Sequence, residues 1–363
     1  MKNFIGIGRG NAEAALEQAT KGLVNPSMIL FMTSYENVEK TAASICEKFP
    51  NIPSIGTIGT TLSKGVSGDD NTVVLGLFED AKINCGVIKH LSTAPVAYVH
   101  EIEKKIAEVA PGREDTVCIE FCTGYEERLV TTLNACFEKK GIQLAGGTVF
   151  GVPDGKEAVV AYNGKLYQDA CVYALIKNTT GKVKVFKENI YKKSDNAKSH
   201  FATKVNVDKK SLIELDGRPA ATVYSEELGI SRDKIIENVF NNPIGRAVGE
   251  QVFISSMKEL APNGELINFK RINENDCIYF LELDDYKASE EEMRSMIRSE
   301  MKNVSLILSI DCIYRYLLYQ NEGYFDTYVK DMATFGNHIG IVGGGEQFNN
   351  QHVNQTMVCA VFE

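Results

Sequence analysis

Short uninterrupted apolar runs alternate along this chain with stretches in which apolar residues recur three and four positions apart. The first pattern predicts buried strands and the second amphipathic helices, so the chain reads as an α/β (α+β) protein with mixed sheets flanked by helices. The opening strand, Phe4 to Gly8, leads into a helix that Asn11 is placed to cap. A composite unit then occurs three times. Met28–Met32 reads as a buried strand, followed by a helix from about Asn37 to Lys48, the glycine-containing Ile55-Gly-Thr-Ile-Gly-Thr-Thr61 and a return strand Thr72–Phe78. Thr116–Phe121 precedes a helix from about Glu126 to Lys140, then Leu144-Ala-Gly-Gly-Thr-Val-Phe-Gly151 and strands near Val159 and Val172. Val304–Ile310 precedes helical segments between Tyr314 and Met332, then Ile339-Gly-Ile-Val-Gly-Gly-Gly-Glu346 and the strand Thr356–Phe362. The copies are unequally spaced, which indicates duplicated supersecondary units rather than a solenoid.

The polar, aperiodic stretch Tyr191–Ser199 predicts a boundary, dividing the chain into halves at 1–190 and 200–363. A hairpin of Val205–Val207 and Ser211–Leu215 opens the second half, closed by Asp216-Gly217-Arg218-Pro219. A helix follows over Ser231–Phe240, with Ser231 as its N-cap. Residues 288–302 read as a charged, solvent-facing helix; Glu290, Glu291 and Glu292 suit the positive end of its dipole and form a solvated face, not a metal site.

Composition narrows the function classes. The 363 residues carry 39 Lys and Arg against 48 Asp and Glu, a net charge of −9, and lack the basic footprint that nucleic acid or an anionic membrane surface requires. Met1–Gly6 lacks the apolar run of a signal peptide and no segment reads as a membrane span, which sets the expectation of a cytoplasmic protein. The nine cysteines are scattered through apolar patterns and read as free core thiols; Cys118 and Cys122 fall on one face of a strand. Gly6-x-Gly8-x-Gly10 follows a strand but lacks the third glycine offset and the acidic partner of a dinucleotide site.

The glycines recur at the same point of each unit, where they permit close backbone approach, and predict a common rim. Four further sequences give the chain its resemblance to a known family: Leu215-Asp-Gly-Arg-Pro-Ala220, Asp311-Cys-Ile-Tyr-Arg315, Gly345-Glu346 and Asn354-Gln-Thr356. With Ile55–Thr60, Asp70 before Val73-Val74, and Gly146-Gly147, they resemble the N- and C-terminal parts of the FIST domain family over nearly the whole chain. That resemblance implies a sensory module of bacterial signal transduction that binds small molecules such as amino acids. It also implies a partner of the kinase, cyclase or chemotaxis class; without such an output domain, the chain is expected to be a standalone sensor. Some relatives bind haem and respond to nitric oxide, but this chain has Asn242-Pro243 where many have His-Pro.

The candidate ligand site therefore comprises Cys312, Arg315, Gly345, Glu346, Asn354 and Thr356, with Gly59, Thr60 and Gly147 on the corresponding rims. Arg315 offers a planar fork for a carboxylate, Glu346 a partner for an ammonium, and Asn354 and Thr356 orienting groups, a set suited to a small zwitterion. The same residues also suit an internal ion pair of Arg315 with Glu346 and a turn capped by Asn354. The expected state carries no cofactor; were haem bound, His338 and His352 would be its axial candidates. A thiol-dependent enzyme using Cys312 with one of these histidines, and a protein-interaction scaffold, are the other two classes left open.

Overall fold

The computed structural model describes residues 1–248 and 251–363. The chain forms two compact units: one of Met1–Lys187, Arg294–His352 and Met357–Glu363, the other of Glu188–Met293 with Val353–Thr356. The first thus gathers both ends of the chain, whereas the sequence division at 190 to 200 runs in chain order.

The first unit is the threefold repeat. Its first copy runs β1 (Asn3–Arg9), α1 (Ala12–Ala19), β2 (Met28–Thr33), α2 (Tyr35–Lys48), β3 (Ser54–Ile58), the hairpin β4 (Thr61–Ser63) and β5 (Val66–Gly68), and β6 (Asn71–Leu77). The second runs β7 (Ala81–Lys89), α3 (Val99–Val109), β8 (Thr116–Cys122), α4 (Glu126–Phe137), β9 (Gln143–Thr148), the hairpin β10 (Val160–Tyr162) and β11 (Lys165–Tyr167), and β12 (Ala170–Asn178). The third opens with β13 (Val183–Asn189), after which the second unit is inserted.

That inserted unit contains β14 (Tyr191–Lys192), β15 (His200–Asn206), β16 (Ser211–Leu215), β17 (Arg218–Pro219), α5 (Ala220–Leu228), β18 (Ile244–Val248), β19 (Gln251–Ser255), β20 (Met257–Leu260), β21 (Leu266–Asn268), β22 (Cys277–Phe280) and β23 (Glu282–Leu283). The unit boundary then falls inside α6 (Tyr286–Glu300). The third copy continues with β24 (Leu306–Cys312), α7 (Ile313–Asn321), α8 (Phe325–Met332), β25 (His338–Gly343), the hairpin β26 (Glu346–Phe348) and β27 (Gln351–Val353), and β28 (Thr356–Phe362).

Each copy builds one sheet on the same plan. The central strands β2, β8 and β24 run parallel to β3, β9 and β25 and antiparallel to β6, β12 and β28. All residues of these central strands are buried, which is why they read as continuous apolar runs. The hairpins are exchanged in a cycle. β4 of the first copy pairs with β25, β10 of the second with β3, and β26 of the third with β9. Every six-stranded sheet is therefore completed by a neighbouring copy, and no copy can close its sheet alone.

Helices cover the sheets through one face each: Val38, Ala42 and Ile45 on α2, and Ile102, Ile106 and Val109 on α3. Asn11 caps α1, its side chain accepting from Ala14 N at 3.0 Å. Gly6 and Gly8 lie against the carbonyls of Ala19 and Ala15, so a Cβ at either would collide with α1. They serve helix-on-strand packing.

Three local expectations are corrected. Residues 231–240 form two short 3-10 turns, Arg232–Lys234 and Glu237–Phe240, and Ser231 makes no side-chain cap bond to the first. The helix at 286–300 is not wholly solvent-facing, since Glu290, Met293 and Ile297 are buried. The helical stretch after Tyr314 breaks into α7 and α8, with Gly323 in the left-handed region between them (φ 64°).

Candidate functional site

The glycine-bearing segments of the three copies do come together in the first unit. Where β3, β9 and β25 end, a cycle of backbone bonds links them: Phe150 N donates to Ile58 O at 3.4 Å, Val342 N to Thr60 O at 2.8 Å and Thr148 N to Gly345 O at 2.9 Å. A Cβ on Gly59 would lie 2.5 Å from Val342 O, and one on Gly147 2.6 Å from Ile310 Cγ2. Gly59, Thr60, Gly147 and Gly345 thus form a closed junction in which small residues let three backbones meet. The Thr60 hydroxyl donates to Asp69.

Cys312, Arg315 and Glu346 belong to the same unit and are 1%, 0% and 0% exposed. Arg315 is an internal residue, and it forms an ion pair with Asp311, one turn back across the strand-to-helix junction. Its guanidinium lies 4.5 Å from the Tyr319 ring centroid and 4.4 Å from that of Tyr328. Asp311 also accepts from Tyr328 Oη at 3.0 Å. Aromatic rings pack around this pair: Tyr316 meets Phe325 edge-to-face at 4.6 Å, and the buried Tyr319 meets Tyr324 at 5.3 Å. Cys312 N-caps α7 through its backbone alone.

Two histidines bear on haem ligation and on a thiol base. His338 is fully buried, its Nε2 is 2.9 Å from Ser309 Oγ, and burial pulls its pKa down to about 4. It opens β25 opposite Ile307, whereas Cys312 lies opposite Gly343 at the strand's far end. At about 3.3 Å per residue the two are roughly 16 Å apart, beyond general-base reach. His352 is also buried, with Nδ1 3.1 Å from Glu346 O and 3.2 Å from Gln347 Nε2. Both rings are buried among protein atoms, and His338 Nδ1 has no hydrogen-bond partner among the described residues.

A second polar set lies at the end of β8. Thr148 Oγ1 donates to Glu126 Oε1 at 3.1 Å, accepts from Gln347 Nε2 at 3.3 Å and lies 3.7 Å from Cys122 Sγ. Deeper in β8, Glu120 is fully buried, and desolvation raises its pKa to about 8. The Cys171 thiol donates to one of its oxygens at 3.3 Å, while the other has no partner. Gly146 stands directly across from Glu120 and leaves room for the carboxyl. Cys118 and Cys122 do share a face, inside one apolar cluster under α3 and α4.

Asn354 and Thr356 fall in the short Val353–Thr356 segment that groups with the inserted unit. There Asn354 Oδ1 accepts from Ser256 N at 3.4 Å, and Gln355 Nε2 donates to Tyr191 Oη at 2.9 Å. The same unit explains the Leu-Asp-Gly sequence. Asp216 takes φ 53° in a turn and accepts from Phe201 N at 2.8 Å, and Gly217 follows at φ 73°. His200 is buried in β15 between Asp216 Oδ2 at 2.7 Å and Glu227 Oε2 at 2.9 Å.

An open cavity of about 550 Å³ lies in the first unit at the opposite ends of the strands. Thr116 opens β8, Gln143 opens β9 and Val183 follows Lys182 into β13, and all line it. Its charged lining is Arg113, Lys140, Lys182 and Lys184 against Glu114 and Glu300. Lys182 pairs with Glu114 at 3.3 Å and Lys184 with Glu300, so both carboxylates are neutralised. Arg113 and Lys140 make no ion pair among the described residues. Sequence reasoning missed these residues. Their only signal is two basic clusters, Lys139-Lys140-Gly141 ahead of β9 and Lys182-Val-Lys184 at the start of β13.

Among the described residues no group of three or more His, Cys, Asp or Glu side chains is placed to hold a metal ion, and no helix is long and apolar enough to cross a membrane. The architecture is that of an α/β protein with a triplicated sheet and an inserted β-rich unit. The FIST N domain matches residues 27–218 and the FIST C domain residues 220–349, and the chain belongs to the FIST family. FIST domains are sensor domains of signal transduction. No curated protein matches the chain.

Proposed function

We propose that this protein is a sensor that binds a small organic anion, an amino acid or similar carboxylate, and passes its state to a signalling protein of the kinase, cyclase or chemotaxis class. The observation that carries the ligand class is the cavity at the amino ends of β8, β9 and β13. It has the size of a small-molecule site, and its lining leaves Arg113 and Lys140 without carboxylate partners. The carboxylate-binding role read for Arg315 passes in this proposal to those two residues, because Arg315 is engaged by Asp311 and two tyrosine rings. Arginine gives the carboxylate two parallel bonds and lysine adds a point charge. The partner class rests on family membership alone.

The test is thermal denaturation against amino acids and small dicarboxylates, using L-glutamate and succinate first. A ligand at about a hundred times its dissociation constant adds roughly 2.7 kcal/mol to the folded state. The expected result is a melting shift that disappears in the Arg113→Gln/Lys140→Gln double variant. A shift undiminished in that variant, or none with any anion at millimolar concentration, overturns the assignment of the cavity.

A further inference from the structure

A second hollow adjoins the charged one. It measures about 440 Å³ and is lined by Glu103, Ile106, Ala107, Ala110, Pro111, Cys136 and Lys140. Pro111 and Lys140 line both hollows. The two differ in chemistry. The first has four cations and two carboxylates in its wall; the second has Ile106 and Ala107 of α3, Ala110, Pro111 and the Cys136 thiol of α4, together with a single carboxylate, Glu103, and the shared Lys140. Burial pushes that thiol up to about 11, so at neutral pH it is an uncharged, polarizable surface. Lysine, shared by both walls, has an apolar stem and a charged head.

Building on the cavity assignment above, we infer that the ligand is an amphipathic carboxylate, whose anionic head sits among Arg113 and Lys140 and whose alkyl or aryl tail occupies the hollow formed by Ile106, Ala107, Ala110 and Cys136. A free polar amino acid fills only the charged hollow and leaves the apolar wall wet. A tailed carboxylate satisfies the unpaired cations and removes apolar surface from water with one molecule.

Calorimetric titration of the whole protein with acetate, butyrate, hexanoate and octanoate tests this, with L-glutamate and succinate as tail-less references. The wild-type dissociation constant is expected to fall roughly fourfold for each methylene that enters the hollow, until the hollow is filled. Ala107→Trp fills the hollow from an exposed helix position; it should flatten the series while leaving succinate unchanged. Arg113→Gln/Lys140→Gln should weaken every member. Affinity that does not rise with chain length, while succinate still binds, overturns the tail and leaves the anion sensor standing. A slope that persists in Ala107→Trp places the tail elsewhere and also overturns it. Failure of all anions, tailed or not, removes the cavity assignment itself.

Discussion

The two ends of the central strands have opposite chemistry. At the carboxyl ends, glycines and charged residues meet in a closed junction: backbones bond one another across three copies, and Arg315 is locked to Asp311 between two rings. At the amino ends, ordinary loop lysines and an arginine surround an open cavity and keep two charges unspent. Open α/β sheets usually place ligands at the carboxyl ends. Here the hairpin exchange occupies those ends, because each copy must pass a strand pair to its neighbour there. Residue types that look like a binding site are consumed by assembly of the repeat.

The largest expected effect breaks that contrast directly. Arg315→Ala leaves Asp311 charged and fully buried, and should cost about 3–5 kcal/mol in urea denaturation. Replacing both partners, Asp311→Leu with Arg315→Met, should recover much of that loss, as apolar substitution of a buried pair often does. A stable single variant that loses ligand would return Arg315 to the binding role. Next comes Gly59→Ala, whose Cβ would meet Val342 O at 2.5 Å; about 1–3 kcal/mol of destabilisation is expected from forcing the junction apart. A neutral result would mean that the junction is loose enough to admit a ligand.

Glu120 sharpens the comparison through pH. Its folded pKa is raised from 4.5 to about 8, so the folded state holds a proton that the unfolded state has released across that range. Stability from this residue is therefore greatest at low pH and falls as pH rises from about 4.5 to 8, by at most about 1.4 kcal/mol per unit. His338 works in the opposite sense between pH 4 and 6.5, where its lowered pKa makes the folded state gain stability as pH rises. The clean window is pH 6.5 to 8. There wild type should lose stability relative to Glu120→Gln. Parallel curves in that window would show that the carboxyl is not held neutral.

Much of the fold was legible because its determinants are local. The central strands are buried on both faces and therefore spell continuous apolar runs, and Asn11 caps α1 with its own side chain. The threefold unit appeared as recurring glycines at one point. What remained hidden was non-local. No sequence pattern tells that β4 pairs with β25 across some 280 residues, or that the insertion follows β13, since register between distant strands has no local code. The same reason governs the site. Arg315 and Asp311 are four residues apart, yet their pairing was not foreseen, because strand-to-helix geometry decides which carboxylates the guanidinium reaches. Arg113, Lys140 and Lys182 come from three loops, and each alone reads as solvated surface.

The smallest effect on stability is expected at the cavity, and it is the most informative one. Arg113 and Lys140 are exposed and make no ion pair among the described residues, so Arg113→Gln/Lys140→Gln should change unfolding free energy by less than about 0.5 kcal/mol. Removing two like charges from a lining that also holds Lys182 and Lys184 should not cost the apo protein stability, because repulsion within the lining is relieved. Residues retained for folding cannot show that behaviour, whereas residues retained for an anion should. The decisive measurement is the difference between the two ends in one buffer: a large unfolding penalty at Arg315 with ligand affinity intact, against full stability at Arg113 and Lys140 with affinity lost. If both pairs shift stability and neither shifts affinity, the cationic lining of the cavity serves the fold and the anion assignment falls.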